Sequence, residues 1–476
     1  MNSLFKTLSF AALIALFSCG KKTNEASISK TKDTSSVEFW LTTGDKSSLL
    51  EKQNPLVFGE SQNSNPTISI NASKTFQEMD GFGYCLNGGS AQLISKMGTS
   101  ERNALLKELF ATDGTNIGIS VLRLSIGASD LDDRVFSYND LPSGETDLEL
   151  KKFSLENDFR TGLIPVLKQI LAINPKIQII ASPWSAPTWM KTNNNTKGGS
   201  LKPEFYKVYA DYFVKYIQEM KKEGILIDGI TIQNEPLHPG NNPSMYMEAK
   251  DQAIFIKNNL GPAFKKAKLN TKIIVYDHNC DKPEYPLEIL NDAAANKYVD
   301  GSAFHLYGGK ITAMSTVHDA HPDKNIYFTE QWTGGPGNFP EDLKWNIENL
   351  VIGAPQNWAK HVLQWNLAAD PLYDPHTDQG GCTSCMGAIT IDGSKVTRNI
   401  AYYVMGHASK FVRPGSVRIE SATVANLPNV AYKTPDGKQV VIVLNTNKAQ
   451  QSFNIQSKNK KAAATLPAGA TGTFIW

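Results

Sequence analysis

From about Asp80 the chain repeats one beat, in which a short run rich in β-branched residues is followed by a loop and then by apolar residues recurring every three or four positions. The runs at 81–84, 117–126, 176–184, 227–234, 272–276, 301–307, 325–332 and 361–366 predict eight strands. The clearest helix is predicted over 203–222, where Phe205, Tyr209, Tyr212, Tyr216 and Met220 share one face and Lys207, Asp211, Lys215 and Glu219 the other. Pro203 suits its first turn and Gly224 its end. Further helices are predicted at 101–110, 163–173, 245–268 with a break at Gly261-Pro262, 285–298, 341–352 and 399–411. Eight strands alternating with helices predict an α/β fold, a closed (β/α)8 TIM barrel, with an open doubly wound sheet as the rival.

After Arg413 the texture changes to short alternating strands, as at 439–444 behind the turn Pro435-Asp436-Gly437 and at 471–476. Residues 37–75 share that texture and have no partner of their own. They are expected to join 413–476 in one side β-domain, a sandwich, leaving 76–412 for the barrel. The N-terminus carries Lys6, an apolar run over 8–17, and Leu16-Phe17-Ser18-Cys19. It reads as a signal peptide over 1–18, and a small residue before cysteine resembles the bacterial lipobox. Cleavage before Cys19 and acylation of its thiol would leave an exported protein lipid-anchored to a membrane, with 19–36 as a polar tether. Ordinary signal cleavage nearby is the alternative.

The 48 basic and 46 acidic residues leave a net charge of +2, too balanced to draw nucleic acid by phosphate neutralisation. Beyond Cys19 the cysteines are Cys85, Cys280, Cys382 and Cys385. Cys382-Thr-Ser-Cys385 lacks a second pair or histidines at zinc-ligand spacing, so it reads as a local disulfide or as two buried thiols.

In a barrel the reactive groups stand at the C-terminal strand ends, where the loops converge on one pocket. Two glutamates stand there: Glu235 in Thr231-Ile-Gln-Asn-Glu-Pro236 after the fourth strand, and Glu330 in Ile326-Tyr-Phe-Thr-Glu-Gln-Trp332 at the end of the seventh. Carboxyls on opposite sides of a barrel can address one glycosidic bond, and retaining hydrolysis needs such a pair about 5 Å apart. Either glutamate alone could instead cap a helix or pair with arginine. Asn234 before Glu235 offers an amide for a sugar 2-hydroxyl, and Trp184, in a proline-braced loop, offers an apolar face for a pyranose.

The chain resembles glycoside hydrolase family 30, the group of lysosomal glucosylceramidases and microbial β-1,6-glucanases, from about Phe76 to its end. The likeness is carried by Asp80-Gly-Phe-Gly83, Arg123-Leu-Ser-Ile-Gly-Ala-Ser-Asp130, Ala181-Ser-Pro-Trp-Ser-Ala-Pro-Thr-Trp-Met-Lys-Thr192, Gln233-Asn-Glu-Pro236, Phe304-His-Leu-Tyr307, Thr329-Glu330 and Gln364-Trp-Asn-Leu367. The resemblance implies a barrel with a side β-domain from both chain ends, retention of configuration, and neither metal nor cofactor. It implies Glu235 as acid/base, Glu330 as nucleophile, Asn234 as partner of the 2-hydroxyl and Arg123 as the group that orders Glu330. Asp130 and Trp184 would hold glucose, His305 and Tyr307 would line the site and Trp365 would form its floor; Tyr246 and Trp332 are further candidates for the pocket. A guanidinium near Glu330 should keep it ionised while Glu235 holds a proton. The chain departs from ceramide-cleaving members after Gly83, where Tyr-Cys-Leu-Asn-Gly-Gly89 follows, and in the loop from Asp370 to Cys385; both departures bear on the leaving-group subsite. The expected substrate is β-1,6-glucan, cut in endo or exo fashion. Glucosylceramide is the alternative within the family, and xylan, lacking the C6 group that Asp130 would hold, is disfavoured. A glycan-binding surface lipoprotein without catalysis is the alternative outside it, and the presence of both glutamates argues against it.

Overall fold

The computed structural model describes residues 36–60 and 63–476. The signal peptide, Cys19 and the tether up to residue 35 lie outside the described residues, and Ser36, expected in the tether, begins a strand.

Eight parallel strands close into a barrel: β1 (Gly81–Cys85), β2 (Val121–Ser125), β3 (Gln178–Ser182), β4 (Gly229–Thr231), β5 (Lys272–Cys280), β6 (Val299–Gly309), β7 (Asn325–Glu330) and β8 (Ala359–Asn366). Each neighbours the next and β8 closes on β1. Alternate side chains point inward, and Val121, Ile180, Ile274, Ala303, Tyr327 and Leu363 meet there as a buried apolar layer that plugs the barrel. Around the strands the helices bury their apolar faces. The helix Tyr206–Lys222 does so with the tyrosines and Met220 that its sequence pattern picked out, and Pro203–Phe205 forms a 3-10 turn before it.

Some expected elements differ. No break occurs at Gly261-Pro262: a short π-type turn, Ile256–Leu260, hands over to Gly261–Ala267 and the helix continues. Gly261 serves close packing instead, since a Cβ there would lie 2.3 Å from the Tyr298 ring. The helix expected over 285–298 is divided into Glu284–Asn291 and Ala293–Asn296 by Asp292, whose carboxylate accepts from the amides of Ala294 and Ala295. A helix at Gly88–Lys96 was not expected behind Gly88-Gly89; Asn87 caps it.

The side domain is a β-sandwich drawn from both chain ends. Its nine strands run in the order Glu51–Val57, Ser36–Thr42, Thr471–Ile475, Gln439–Leu444, Asn429–Lys433, Val417–Ser421, Thr67–Glu78, Gln451–Ser457 and Lys460–Leu466. Thr67–Glu78 runs three residues past the expected boundary at 75 and leads almost directly into β1. The two domains are joined by the buried His407 of helix Ile400–Ser409, whose ring nitrogens lie 2.8 Å from the hydroxyls of Thr42 and Thr473. No helix among the described residues is long and apolar enough to cross a membrane.

Candidate active site

Two residues further along a strand the side chain returns to the same face. Two positions beyond Val121, Ile180, Ala303, Tyr327 and Leu363 stand Arg123, Ser182, His305, Thr329 and Trp365, all buried. The apolar plug thus carries a layer that is mostly polar. On β5 the same step would bring in Tyr276, but Tyr276 and Asp277 both adopt the left-handed backbone region, with φ of 74° and 66°, and the pairing with β6 slips between Tyr276 and His278. This bulge puts Asp277 into the polar layer instead.

Asp277 is the hub of that layer. Its Oδ2 accepts from Arg123 Nη2 at 2.8 Å, Ser182 Oγ at 2.8 Å and Thr231 Oγ1 at 2.6 Å. Its Oδ1 accepts from Thr329 Oγ1 at 2.6 Å and lies 3.1 Å from His305 Nε2. Burial alone would raise its pKa, but Arg123 and His305 outweigh burial and hold it well below the usual carboxylate range. Arg123 is fully buried: Nη1 donates to Glu330 Oε2 at 2.5 Å, Nη2 also donates to Asn234 Oδ1 at 2.7 Å, and its plane lies 4.8 Å from the Trp184 ring. The guanidinium therefore fixes the nucleophile candidate, the amide beside the other glutamate and the aromatic wall together.

Glu235 follows β4 in the left-handed region, at φ 45°, with its amide held by the carbonyl of Asp277 at 3.0 Å. Its Oε1 lies 3.1 Å from His305 Nδ1, and its Oε2 accepts from Asn241 at 3.4 Å. Glu330 ends β7 and accepts from Arg123 and, at Oε1, from the hydroxyl of Tyr307 at 2.9 Å. One carboxylate oxygen from each glutamate and a ring nitrogen of His305 all lie within 4.8 Å of one another.

Burial disfavours the His305 cation, yet Glu330, Asp277 and Glu235 raise its pKa to about 9. For Glu235 burial is outweighed by the hydrogen bond and charge of His305, and its pKa falls below the ordinary value. For Glu330 burial, with the charges of Glu235 and Asp277, outweighs His305 and Arg123, and its pKa rises. This reverses the order expected from Arg123 alone. The physical reason is His305, whose ring nitrogen lies 3.1 Å from Glu235 and 3.7 Å from Glu330 and so favours the Glu235 charge more. Glu235, His305 and Glu330 are also the one group among the described residues spaced to hold a metal ion. Both His305 nitrogens are already engaged, by Glu235 and by Asp277, so this donor set fits proton transfer better than metal ligation.

Above this layer opens a pocket of about 260 Å³. Of the residues singled out in the sequence, Glu235, Glu330, Asp130, Trp184, Tyr307, Trp332 and Trp365 line it. Trp184 and Trp365 stack with centroids 5.2 Å apart. Arg123, Asn234 and His305 lie within hydrogen-bonding reach of the glutamates or of each other's partners, below the lining. Tyr246 does not line the pocket: its amide donates to Gly199 and the next donates to Pro236, which ties this segment to the 199–200 loop. Residues that sequence reading did not single out as site residues are Asp277 in the layer below and His238, Asn241, His278, Asn279, Cys382 and Cys385 in the lining. Cys382 and Cys385 form a disulfide, which decides between the two readings of that pair, while Cys85 and Cys280 are buried thiols.

Residues 79–412 match the glycosyl hydrolase family 30 TIM-barrel domain, and 415–474 match the beta sandwich domain of the same family. The chain belongs to glycosyl hydrolase family 30. It is similar to an endo-1,6-β-D-glucanase of Aspergillus fumigatus, 34% identical over 435 residues covering 86% of this chain and 87% of that one. It is also similar to the lysosomal acid glucosylceramidase of Mus musculus, 28% identical over 438 residues covering 86% and 83%. A solved endo-β-1,6-glucanase superposes with a TM-score of 0.86 at 34% identity, over 93% of this chain and 99% of that one. This family 30 protein is a glycoside hydrolase, and the barrel-top pocket with its two glutamates is its candidate active site.

Proposed function

We propose that this glycoside hydrolase cleaves β-1,6-glucan with retention, Glu330 acting as nucleophile and Glu235 as acid and base. The observation that carries the mechanism is the pair of carboxylate oxygens within 4.8 Å across the pocket, the spacing suited to double displacement, since inversion needs a wider gap for water. The linkage is supported by the 34% identity to the fungal endo-1,6-β-glucanase over nearly the whole chain.

In the first step Glu330 attacks the anomeric carbon as the bond to the leaving sugar breaks, and Glu235 delivers a proton to the departing oxygen. That proton crosses the 3.1 Å bond from His305 Nδ1 as the substrate displaces water and disfavours the Glu235 charge. In the second step Glu235 takes a proton from water, which attacks the glycosyl-enzyme from the face the leaving group vacated. Asn234, its oxygen taken by Arg123, presents its NH2 to the 2-hydroxyl. Asp130, whose pKa burial and both glutamates push up, stands at the pocket to hold a glucose hydroxyl. Trp184 and Trp365 supply the apolar wall. As part of the same reading, Cys19 carries a lipid that holds the exported enzyme on a bacterial membrane.

The test sets pustulan beside laminarin, xylan and glucosylceramide and follows the first product by NMR. Cleavage of pustulan with the β-anomer appearing first is expected. An α-anomer at first appearance refutes the double displacement, and preference for glucosylceramide refutes the linkage.

A further inference from the structure

The segment between β8 and the small strand pair Ile389–Asp392 and Lys395–Arg398 crosses one side of the pocket as a strap. On one flank Thr377 donates from its amide to Asp130 O at 2.9 Å and from its hydroxyl to Asn242 O, Asn242 Nδ2 donates to Asp378 O at 2.8 Å, and Lys197 donates to Gln379 O at 2.9 Å. On the other flank Gly335 N donates to Ser384 O at 2.8 Å, and Cys385–Met386 pairs with Thr333–Gly334. Gly381 lets the strap turn back on itself, because a Cβ there would lie 2.2 Å from the Thr377 carbonyl. The Cys382–Cys385 disulfide stands between the two sets of anchors, and both cysteines line the pocket. Cys385 is buried against Trp184, Trp365, Leu131 and Cys85, with Cys382 and Trp332 packed beside them.

Two features set this disulfide apart from a folding staple. It joins residues three apart, and a cross-link restricts the unfolded chain least when the loop it closes is shortest. The strap is already fastened on both flanks by the bonds above. What the disulfide adds is a compact, polarisable, non-hydrogen-bonding surface between Trp332 and Asp130, continuous with the aromatic wall. The strap was expected to bear on the leaving-group subsite; it is fastened to the backbone of Asp130, which the reading above gives to the glucose, and to Asn242 in the loop after Glu235.

We propose that the Cys382–Cys385 disulfide is a sugar-contacting, specificity-determining part of the glycone side of the pocket, so that recognition of a β-glucan chain depends on its oxidised state. The proposal rests on the functional reading above, in which Asp130 holds the glucose whose anomeric carbon reacts. It implies an enzyme whose glucan binding weakens when the disulfide takes up two electrons and two protons from a dithiol, which leaves as a cyclic disulfide.

The Cys382→Ser/Cys385→Ser double variant should raise KM about five- to tenfold for β-1,6-glucan and for an aryl β-glucoside alike, since both present the same glucose, with kcat held within about twofold. An unchanged KM, or a parallel fall of kcat on both substrates, overturns the proposal. Should the variant not fold, the Glu330→Gln enzyme is treated with dithiothreitol with and without saturating β-1,6-gluco-oligosaccharide, and new thiols are counted by alkylation. Cys85 and Cys280 are buried, so the label reads the strap. Protection of at least about fivefold is expected, and equal rates overturn the proposal. If wild-type enzyme cleaves aryl β-glucosides but not β-1,6-glucan, the linkage fails by itself, and the protection assay with the glycan that is cleaved still decides the disulfide.

Discussion

Replacing Asp277 with Asn tests whether the hub under the glutamates sets the proton inventory of the site. The carboxylate accepts from Arg123, Ser182, Thr231 and Thr329 and faces His305 Nε2. An amide of the same shape must turn an NH2 toward one of its two sides, where every neighbour is a donor or an imidazolium. A broken buried ion pair of this kind costs about 3–5 kcal/mol of folding stability. The effect on His305 is separate. Its rise from 6.5 to about 9 is a net gain of about 3 kcal/mol for the imidazolium, left after burial has opposed the pull of Glu330, Asp277 and Glu235. Losing the Asp277 share lets the His305–Glu235 proton leave at lower pH, so the basic limb of the kcat/KM profile should move from near 9 toward neutrality. The acidic limb, set by Glu330, lies above the ordinary glutamate range because burial raises its pKa. At the optimum kcat should fall about 100-fold or more, as Arg123 loses its second carboxylate and no longer holds Glu330 and Asn234 in one plane. The assay is hydrolysis of an aryl β-glucoside from pH 4 to 10 with stability followed in parallel. A variant that keeps both limbs and loses only stability would refute the claim that Asp277 holds the acid proton in place.

Other outcomes follow from the same geometry. Glu330→Ala with azide should give an α-glycosyl azide, whereas Glu235→Ala with a dinitrophenyl glucoside should accumulate glycosyl-enzyme that azide releases as the β-anomer; the same anomer from both variants would reverse or void the assignment. Chelators should leave the rate unchanged, and a zinc-reversible loss would contradict the proton role of His305. His407 is held neutral by burial, its pKa lowered to about 3, so its contribution is complete above 6.5 and is lost as pH falls toward 3. At pH 5 that loss is about 2 kcal/mol, and His407→Gln should be the less acid-sensitive protein by about that amount in denaturant titrations at pH 7.5 and 5. Cys19→Ser should appear as soluble, folded enzyme in fractionated cells; a variant that stays in the membrane fraction would refute lipid anchoring.

The barrel was legible because short runs rich in β-branched residues alternate along the chain with apolar residues at helical spacing. Glu235 and Glu330 stood out because each sits where a predicted strand ends, at the face on which barrel loops converge. Asp277 did not, because the strand reading stopped at Tyr276, where the apolar run stops. The bulge that turns Asp277 inward is made by two non-glycine residues in the left-handed region, a conformation without a composition signal. Gly261-Pro262 misled in the opposite sense, since a glycine required for contact with Tyr298 looks locally like one that ends a helix. The disulfide and the pocket edge that Cys382 and Cys385 form depend on where a long loop is fastened, and its anchors at Asp130, Asn242 and Gly335 are remote in sequence.

The two glutamates are chemically identical, and what separates them is the kind of donor each one faces. Glu330 is met by a guanidinium that is charged at every working pH and by a phenol whose own pKa burial raises further, so its partners cannot take a proton from it or give one up. Glu235 is met by an imidazole that can do both, and whose other nitrogen is backed by Asp277. A nucleophile needs fixed partners, because its charge must be available on arrival of the substrate and restored after each turnover. A residue that is acid in one step and base in the next needs an exchangeable one. The left-handed backbone at Glu235 serves the same division: with its amide on the Asp277 carbonyl, the residue directly after Asn234 is turned toward His305 while Asn234 stays on Arg123. One bulged strand thereby supports both roles, through its carboxylate to Arg123 and His305 and through its carbonyl to Glu235.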